Sequence, residues 1–386
     1  MSSYGQRLRA RHALPQVEAP TTSTGLGLAT PLRTAILLPS GCYLSRSRPN
    51  SMETVVRTLA GVPGGDETRF FCCEGADDHG LPGVEILPEG RDRLKVLIDK
   101  LAAFRPQIVE HHQQVKQAVR VAAALPGVAH VLYRHNALKT PRHRLDAWRY
   151  NRRYDAMDGF IFVSDAERDL FAKTYPRQAD KAFAVPNPID IEPWLASPEH
   201  REPVIAFAGR AMPEKGLDVI CAALPAVLDR HPTWRAVLML ADWDHHHRWA
   251  SPHVKPLERY GDRVTVLKSV PLGAVQRQMK AAAIALTPSI WAEPFGLTAV
   301  EAHAAGAALI SSGRGGLREA SGPHALYVDE ITPRSLTEAM EQLILHPQQR
   351  LAMACAAQRY VAVVHTPQRR AADLLRIRRQ ILASRA

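Results

Sequence analysis

Val204-Ile205-Ala206-Phe207-Ala208-Gly209-Arg210-Ala211-Met212-Pro213-Glu214-Lys215-Gly216 stands just past the middle of a chain of 386 residues, and its reading decides the fold. Its apolar opening reads as a strand running into a glycine, and Leu217 to Leu228 then has helical spacing. Between strand and helix lie Arg210 and Lys215. Guanidinium offers paired donors, ammonium a point charge and the helix end free N–H groups, so the segment suits a diphosphate. Taken alone, it also reads as a tight turn with solvated charges.

Working outward, the same scheme recurs. Arg235 to Leu240, Val264 to Leu267, Ala282 to Thr287 and Ala307 to Ser311 are strand candidates, several next to helices such as Leu297 to Ala305. Toward the N-terminus, Thr34 to Pro39 leads through a loop to a helix over Met52 to Leu59. Gln107–Glu110, Val128–Tyr133, Gly159–Val163 and Ala182–Val185 follow. Strands alternating with helices indicate parallel sheets covered on both faces. The proline-rich stretch Asn187 to Pro193 separates two such series, as a linker would. The expected architecture is therefore α/β, two doubly wound Rossmann-like domains whose strand ends face a common cleft. The expected order is a disordered leader over 1–30, a first domain over 31–195, a second over 196–365, and a basic helix over 366–386 crossing back to the first.

Composition bounds the function. The chain carries 49 Lys and Arg against 38 Asp and Glu, and this net charge of +11 attracts anionic partners. Nucleic acid is set aside because the few aromatics do not interleave with the cations and no binding motif is present. Cys42, Cys72, Cys73, Cys221 and Cys355 show no CxxC spacing, which suits a reducing cytoplasm. No run approaches the roughly 18 apolar residues of a membrane span.

Two further segments carry chemistry. In Glu293-Pro294-Phe295-Gly296-Leu297-Thr298-Ala299-Val300-Glu301, Pro294 and Gly296 keep the backbone irregular before a helix, so both carboxylates can face one pocket and accept from sugar or ribose hydroxyls. Glu301 equally fits a plain amphipathic stripe. Gly315 and Gly316, after the strand ending at Ser311, would let backbone N–H groups approach an anion, or form a surface turn.

Together, in this order, the segments resemble glycosyltransferase family 4, the retaining enzymes with the two-domain GT-B fold. The resemblance runs from Val204 to Glu319 and more weakly through the first domain. It implies that Arg210 and Lys215 neutralise a donor diphosphate and that Glu301 holds the ribose. Glu293 with Phe295, Gly296 and Leu297 would grip the donor sugar, beside Gly209 and the Gly315-Gly316 pair. His135, ending a first-domain strand, matches a histidine that faces the donor sugar. Ser164 and Glu167 match a serine-containing strand end.

The family often has two glycines before the first helix; this chain has Asn50-Ser51-Met52-Glu53 instead. The loop Gly41 to Pro49, with Arg46 and Arg48, is expected to substitute for them at the acceptor. His111 and His112 are acceptor candidates too, with simple packing as the alternative. The basic, aromatic stretch Arg134 to Tyr154 suits an anionic membrane or a pyrophosphate-linked lipid, or is a solvated helix. No cofactor or essential metal is expected, since Arg210 and Lys215 supply the positive charge, and His245-His246-His247 reads as a solvated loop. The expected partners are a UDP- or GDP-sugar and a glycan or lipid-linked acceptor, at the inner face of the cytoplasmic membrane. A non-catalytic nucleotide-sugar-binding protein of the same fold is the alternative.

Overall fold

Parallel strands covered on both faces must be apolar nearly throughout, and Ala282–Thr287 is buried at every position. The computed structural model describes residues 31–47, 49–64 and 66–385. The leader expected over 1–30, and Arg48, lie outside the described residues. Seven parallel strands form the first sheet: β1 Arg33–Leu37, β2 Glu67–Cys73, β3 Val84–Leu87, β4 Ile108–His112, β5 Ala129–Arg134, β6 Gly159–Phe162 and β7 Ala182–Ala184. Six form the second: β8 Glu202–Arg210, β9 Arg235–Ala241, β10 Val264–Lys268, β11 Ala282–Thr287, β12 Ala308–Ser311 and β13 Leu326–Tyr327.

The spatial orders are β3-β2-β1-β4-β5-β6-β7 and β10-β9-β8-β11-β12-β13. Each sheet therefore winds outward in both directions from one central pair, β1/β4 in the first and β8/β11 in the second. The loops leaving such a pair diverge to opposite faces and open a crevice at the carboxyl ends of the strands.

Strands β2, β3 and β13 were not among the sequence expectations. β2 begins with exposed or half-buried Glu67, Thr68 and Arg69, and only Phe70 to Cys73 are buried. β3 and β13 are short, with 4 and 2 residues. The histidines 245–247 also differ from expectation: they sit in the helix Trp243–Val254, not in a loop. The nine residues before its Pro252 are free to close helical hydrogen bonds, and proline's missing N–H falls within the last turn.

Strand β4 is a central strand whose last three residues are Glu110, His111 and His112, all at most 2% exposed. Each is compensated by another element. The C-terminal helix Pro367–Ala383 brings Arg378 to Glu110 with two hydrogen bonds of 2.8 and 2.9 Å. His111 shares a hydrogen bond with His130, and His112 with His135. The same helix packs Ile381 against Gly159, where a Cβ would collide with it, and Arg385 pairs with Asp158.

One buried cluster runs from Val131, Tyr133 and Ile161 of the first sheet through Ile377 and Ile381 to Ala206, Met239 and Phe295 of the second. Fully burying each large aliphatic side chain there contributes about 1.5–3 kcal/mol. Two further contacts cross between the halves. Glu319 accepts from the N–H groups of Asp165 and Ala166 at 2.7 and 2.8 Å, capping the helix Asp165–Thr174. The Ile189 N–H donates to the His365 carbonyl at 2.9 Å, tying together the two places where the chain passes between the domains.

Candidate functional site

Both crevices open into one cavity of about 770 Å³. Its walls come from the ends of β1 (Pro39), β4 (Gln113), β5 (His135, Asn136), β8 (Arg210) and β11 (Thr287, Ser289).

On the second-sheet side, Arg210 and Lys215 both reach this wall, as the sequence led us to expect. The Lys215 ammonium lies 2.6 Å from Glu293 Oε1, which also accepts from the Ser289 hydroxyl, and 5.7 Å from the centre of the Trp291 ring. Glu293 is held in place by its neighbours. Gly315 pairs alongside it and Gly316 donates its N–H to the Glu293 carbonyl at 2.7 Å. Gly315 has φ of +62°, and a Cβ on either glycine would strike the backbone of residues 292–295. The expectation is corrected for one of the two: the Gly316 N–H is spent on Glu293, so Gly316 buttresses the Glu293 loop and does not offer its amide to an anion. Gly296, at φ +106°, lets Leu317 close against the start of the helix Leu297–Ala304, and Pro294 to Thr298 line the cavity.

Arg210 enters no ion pair or hydrogen bond through its side chain among the described residues, so its donors remain available for an incoming anion. Gly209 is not on the wall; it makes room for the Phe207 ring, which is. Glu301 also stands apart, one turn down the helix, half-buried and outside the lining. With no cation beside it, desolvation pushes its carboxyl up from an ordinary 4.5 to about 7.

On the first-sheet side, His135 stacks on Tyr133 with ring centres 4.5 Å apart and shares a 2.9 Å hydrogen bond with His112 Nδ1. Desolvation holds His135 well below its usual range and brings His112 down to about 3, aided by the Arg378 charge, so both rings are neutral at pH 7. One ring donates and the other accepts. The acceptor candidates fare differently. His111 is 2% exposed and turned to His130, His112 gives its Nδ1 to His135, and neither ring lines the cleft. This corrects their reading as acceptor groups in favour of packing and support. Arg46 is exposed and outside the lining. The segment Pro49 to Met52 does reach the cavity: Asn50 and Glu53 form a capping box, and Glu53 accepts from the N–H groups of Tyr43 and Leu44, fixing the preceding loop.

Several wall residues carry no motif. Asn187 Oδ1, Thr287 Oγ1, Trp291 Nε1 and His135 Nδ1 are buried without a hydrogen-bond partner among the described residues, and all four residues line the cavity. Unpaired buried polar atoms are rare, and four around one cavity suit a ligand rich in hydroxyls and phosphate oxygens. Asn187, as the start of the linker, and His135 had a sequence signal; Thr287 and Trp291 had none as site residues. Among the described residues no cluster of three or more His, Cys, Asp or Glu is placed to hold a metal ion.

Comparison with known proteins agrees with this geometry. The family model for glycosyltransferase family 4 matches residues 64–193, and that for glycosyl transferases group 1 matches 191–360. The chain belongs with the family 4-like glycosyltransferases of GT-B fold. Alpha-maltose-1-phosphate synthase of Mycolicibacterium smegmatis is 28% identical over 265 residues, 60% of this chain and 67% of that protein. D-inositol 3-phosphate glycosyltransferase of Segniliparus rotundus is 31% identical over 161 residues, 40% of this chain and 35% of that protein. The match thus spans from about a third to two thirds of these relatives. Among solved structures, Anabaena HepE in complex with UDP-glucose superimposes with a TM-score of 0.72 at 17% identity, over 92% of this chain and 99% of that one, a likeness of fold. Among the described residues no helix is long and apolar enough to cross a membrane.

Proposed function

We propose that the protein transfers a hexose, with retention of anomeric configuration, from a UDP- or GDP-sugar to a cell-surface polysaccharide or glycolipid precursor. The observation that carries this reading is the cavity at the paired switch points, lined by an uncommitted Arg210, the Lys215–Glu293 pair and four residues with orphaned polar atoms. In this reading Arg210 and Lys215 neutralise the diphosphate, Glu293 and the backbone of Phe295 to Leu297 hold the sugar, and Glu301 meets the ribose once the nucleotide is seated. His135, neutral and braced by His112, uses its free Nδ1 toward the sugar.

Departure and attack then occur on one face of the sugar. The leaving diphosphate takes the proton of the acceptor hydroxyl, and the protein's chief task is to stabilise charge growing on that phosphate. UDP-glucose bound to HepE, a protein of the same fold, makes such a donor reasonable here. Attachment to an anionic membrane face is supported by the helix Arg144–Tyr154, which exposes Leu145 and Trp148 among arginines, with Arg152 over the Trp148 ring at 5.1 Å.

The test is thermal stabilisation by UDP-, GDP- and ADP-sugars in EDTA. The expected outcome is a shift with one nucleotide that Arg210→Ala abolishes. No shift with any donor would overturn the reading. NMR of the product anomer checks retention, and absence of any turnover despite donor binding would favour the non-catalytic, nucleotide-sugar-binding alternative.

A further inference from the structure

A second cavity, of about 940 Å³, lies in the first domain at the carboxyl ends of β1, β4 and β5. Seven cationic side chains line it and no carboxylate does, among the described residues. They converge from separate elements: Arg91 and Arg93 at the start of the helix Arg93–Phe104, and Lys116 and Arg120 on the helix Val115–Ala124. Arg134 and Lys139 follow β5, and Arg153 lies on the helix Arg144–Tyr154. None of the seven is ion-paired to a carboxylate among the described residues. Arg134 feels the charge of Glu167 without pairing to it.

Concentrating like charges costs free energy unless an anion arrives to offset it, so the cluster needs a purpose beyond stability. Two further observations point to a ligand. Arg93 is 8% exposed, its terminal nitrogens donate to the Cys73 sulfur at 3.2 Å and the Leu38 carbonyl at 3.4 Å, and its Nε is buried with no partner among the described residues. The helix Val115–Ala124 has no side-chain cap, and its first turn forms part of the wall, so the positive end of its dipole meets the same space. Gln113 and Asn136 line both this cavity and the donor cleft, which makes the two spaces neighbours across a shared rim.

We propose that this cavity seats a phosphoryl or diphosphoryl group of the acceptor, whose reacting hydroxyl passes Gln113 and Asn136 into the donor cleft. The assignment rests on the transferase reading and adds the chemistry of the acceptor to it. A phosphate carries more than one negative charge and three strong acceptor oxygens, which suits several forked guanidinium donors better than a lone carboxylate would. The volume fits a small-molecule pocket rather than a polymer groove.

The experiment is calorimetric titration of inorganic pyrophosphate into the full-length chain carrying Arg210→Ala, which removes an anion contact of the donor cleft. Binding is expected to persist there and to weaken about tenfold or more when Lys116→Gln and Arg120→Gln are added, as the loss of charged hydrogen bonds implies. Both positions are exposed, so the fold should tolerate the change. In the otherwise unaltered chain, the same two substitutions should leave the nucleotide-induced thermal shift in place. Pyrophosphate binding that vanishes with Arg210→Ala alone, or survives the loss of Lys116 and Arg120, overturns the proposal. A missing nucleotide shift would instead strike the donor reading while the pyrophosphate titration still reports on this cavity.

Flotation with phosphatidylcholine vesicles, with and without phosphatidic acid, distinguishes the source of the phosphate. Flotation dependent on phosphatidic acid and on Lys116 and Arg120 assigns it to a lipid headgroup. Pyrophosphate binding without flotation assigns it to a soluble phosphorylated acceptor.

Discussion

Glu110 and Glu293 are both buried carboxylates satisfied by one cation, yet they sit in regions with opposite demands. At the seam between the C-terminal helix and the first sheet, Arg378 meets Glu110 with two parallel hydrogen bonds and the side chains are 10% and 1% exposed. A cavity of about 520 Å³ borders this pair too, lined mostly by apolar side chains. In the cleft, Lys215 meets Glu293 with a single short contact, at 20% and 8% exposure, and open volume begins beside it. A forked, almost fully buried pair fixes two elements together. A point charge on a flexible stem, held by one bond, can turn toward an arriving anion. The same elementary interaction therefore ties two elements in one region and stands on the wall of the cleft in the other, and what separates them is geometry and exposure.

The comparison can be broken most directly at the seam. Glu110→Gln leaves the Arg378 charge buried and uncompensated, and about 3–5 kcal/mol of unfolding free energy should be lost in a urea titration. Activity per folded molecule should survive; its loss at unchanged stability would mean that Glu110 is no mere tether. The cleft pair should behave in reverse. Lys215→Ala is expected to lower turnover by about 10²–10³-fold, in line with the loss of one stabilising donor, while the melting midpoint moves little. A large fall in the midpoint would reclassify this pair as architectural.

Glu301 sharpens the contrast, being a carboxylate with no cation at all. Its carboxyl is raised to about 7 in the folded chain, so between pH 4.5 and pH 7 the folded state binds the extra proton. Stability contributed at this site is therefore highest below 4.5 and declines as pH rises toward 7. Glu301→Gln should flatten that slope in denaturation curves across the interval, and an unchanged slope would assign it to another group. The smallest effect belongs to Glu319, whose partners are two backbone amides. Glu319→Ala should cost about 0.5–2 kcal/mol, the range for a lost helix cap, and a larger cost would show that the contact does more than cap.

How far the sequence could be read follows from how local each feature is. The strand, glycine, Arg210 and Lys215 lie within one short stretch, as do Glu293 and Glu301, so spacing alone placed them between particular elements. β2 escaped because its first three residues are polar and only Phe70 to Cys73 are buried. The polar end of β4 was placed at a strand, but its burial escaped: the partners of Glu110, His111 and His112, namely Arg378, His130 and His135, are brought in by the fold. The basic cavity was invisible as a unit, since its cations come from helices and a strand end spread over residues 91–153. Gly316 misled in a simpler way. Glycine signals close approach of backbone, and the sequence does not say whether the thing approached is a ligand or, as here, Glu293.

The hydrogen bond from Ile189 to the His365 carbonyl carries a mechanical consequence. The chain passes from one domain to the other near residue 190 and returns near residue 366, and this bond sets the two crossings side by side. Pulling the domains apart would stretch both backbones at once, whereas swinging them about the line through the crossings needs only a few torsions to change. The two halves are thus joined along one line, like the covers of a book at its spine.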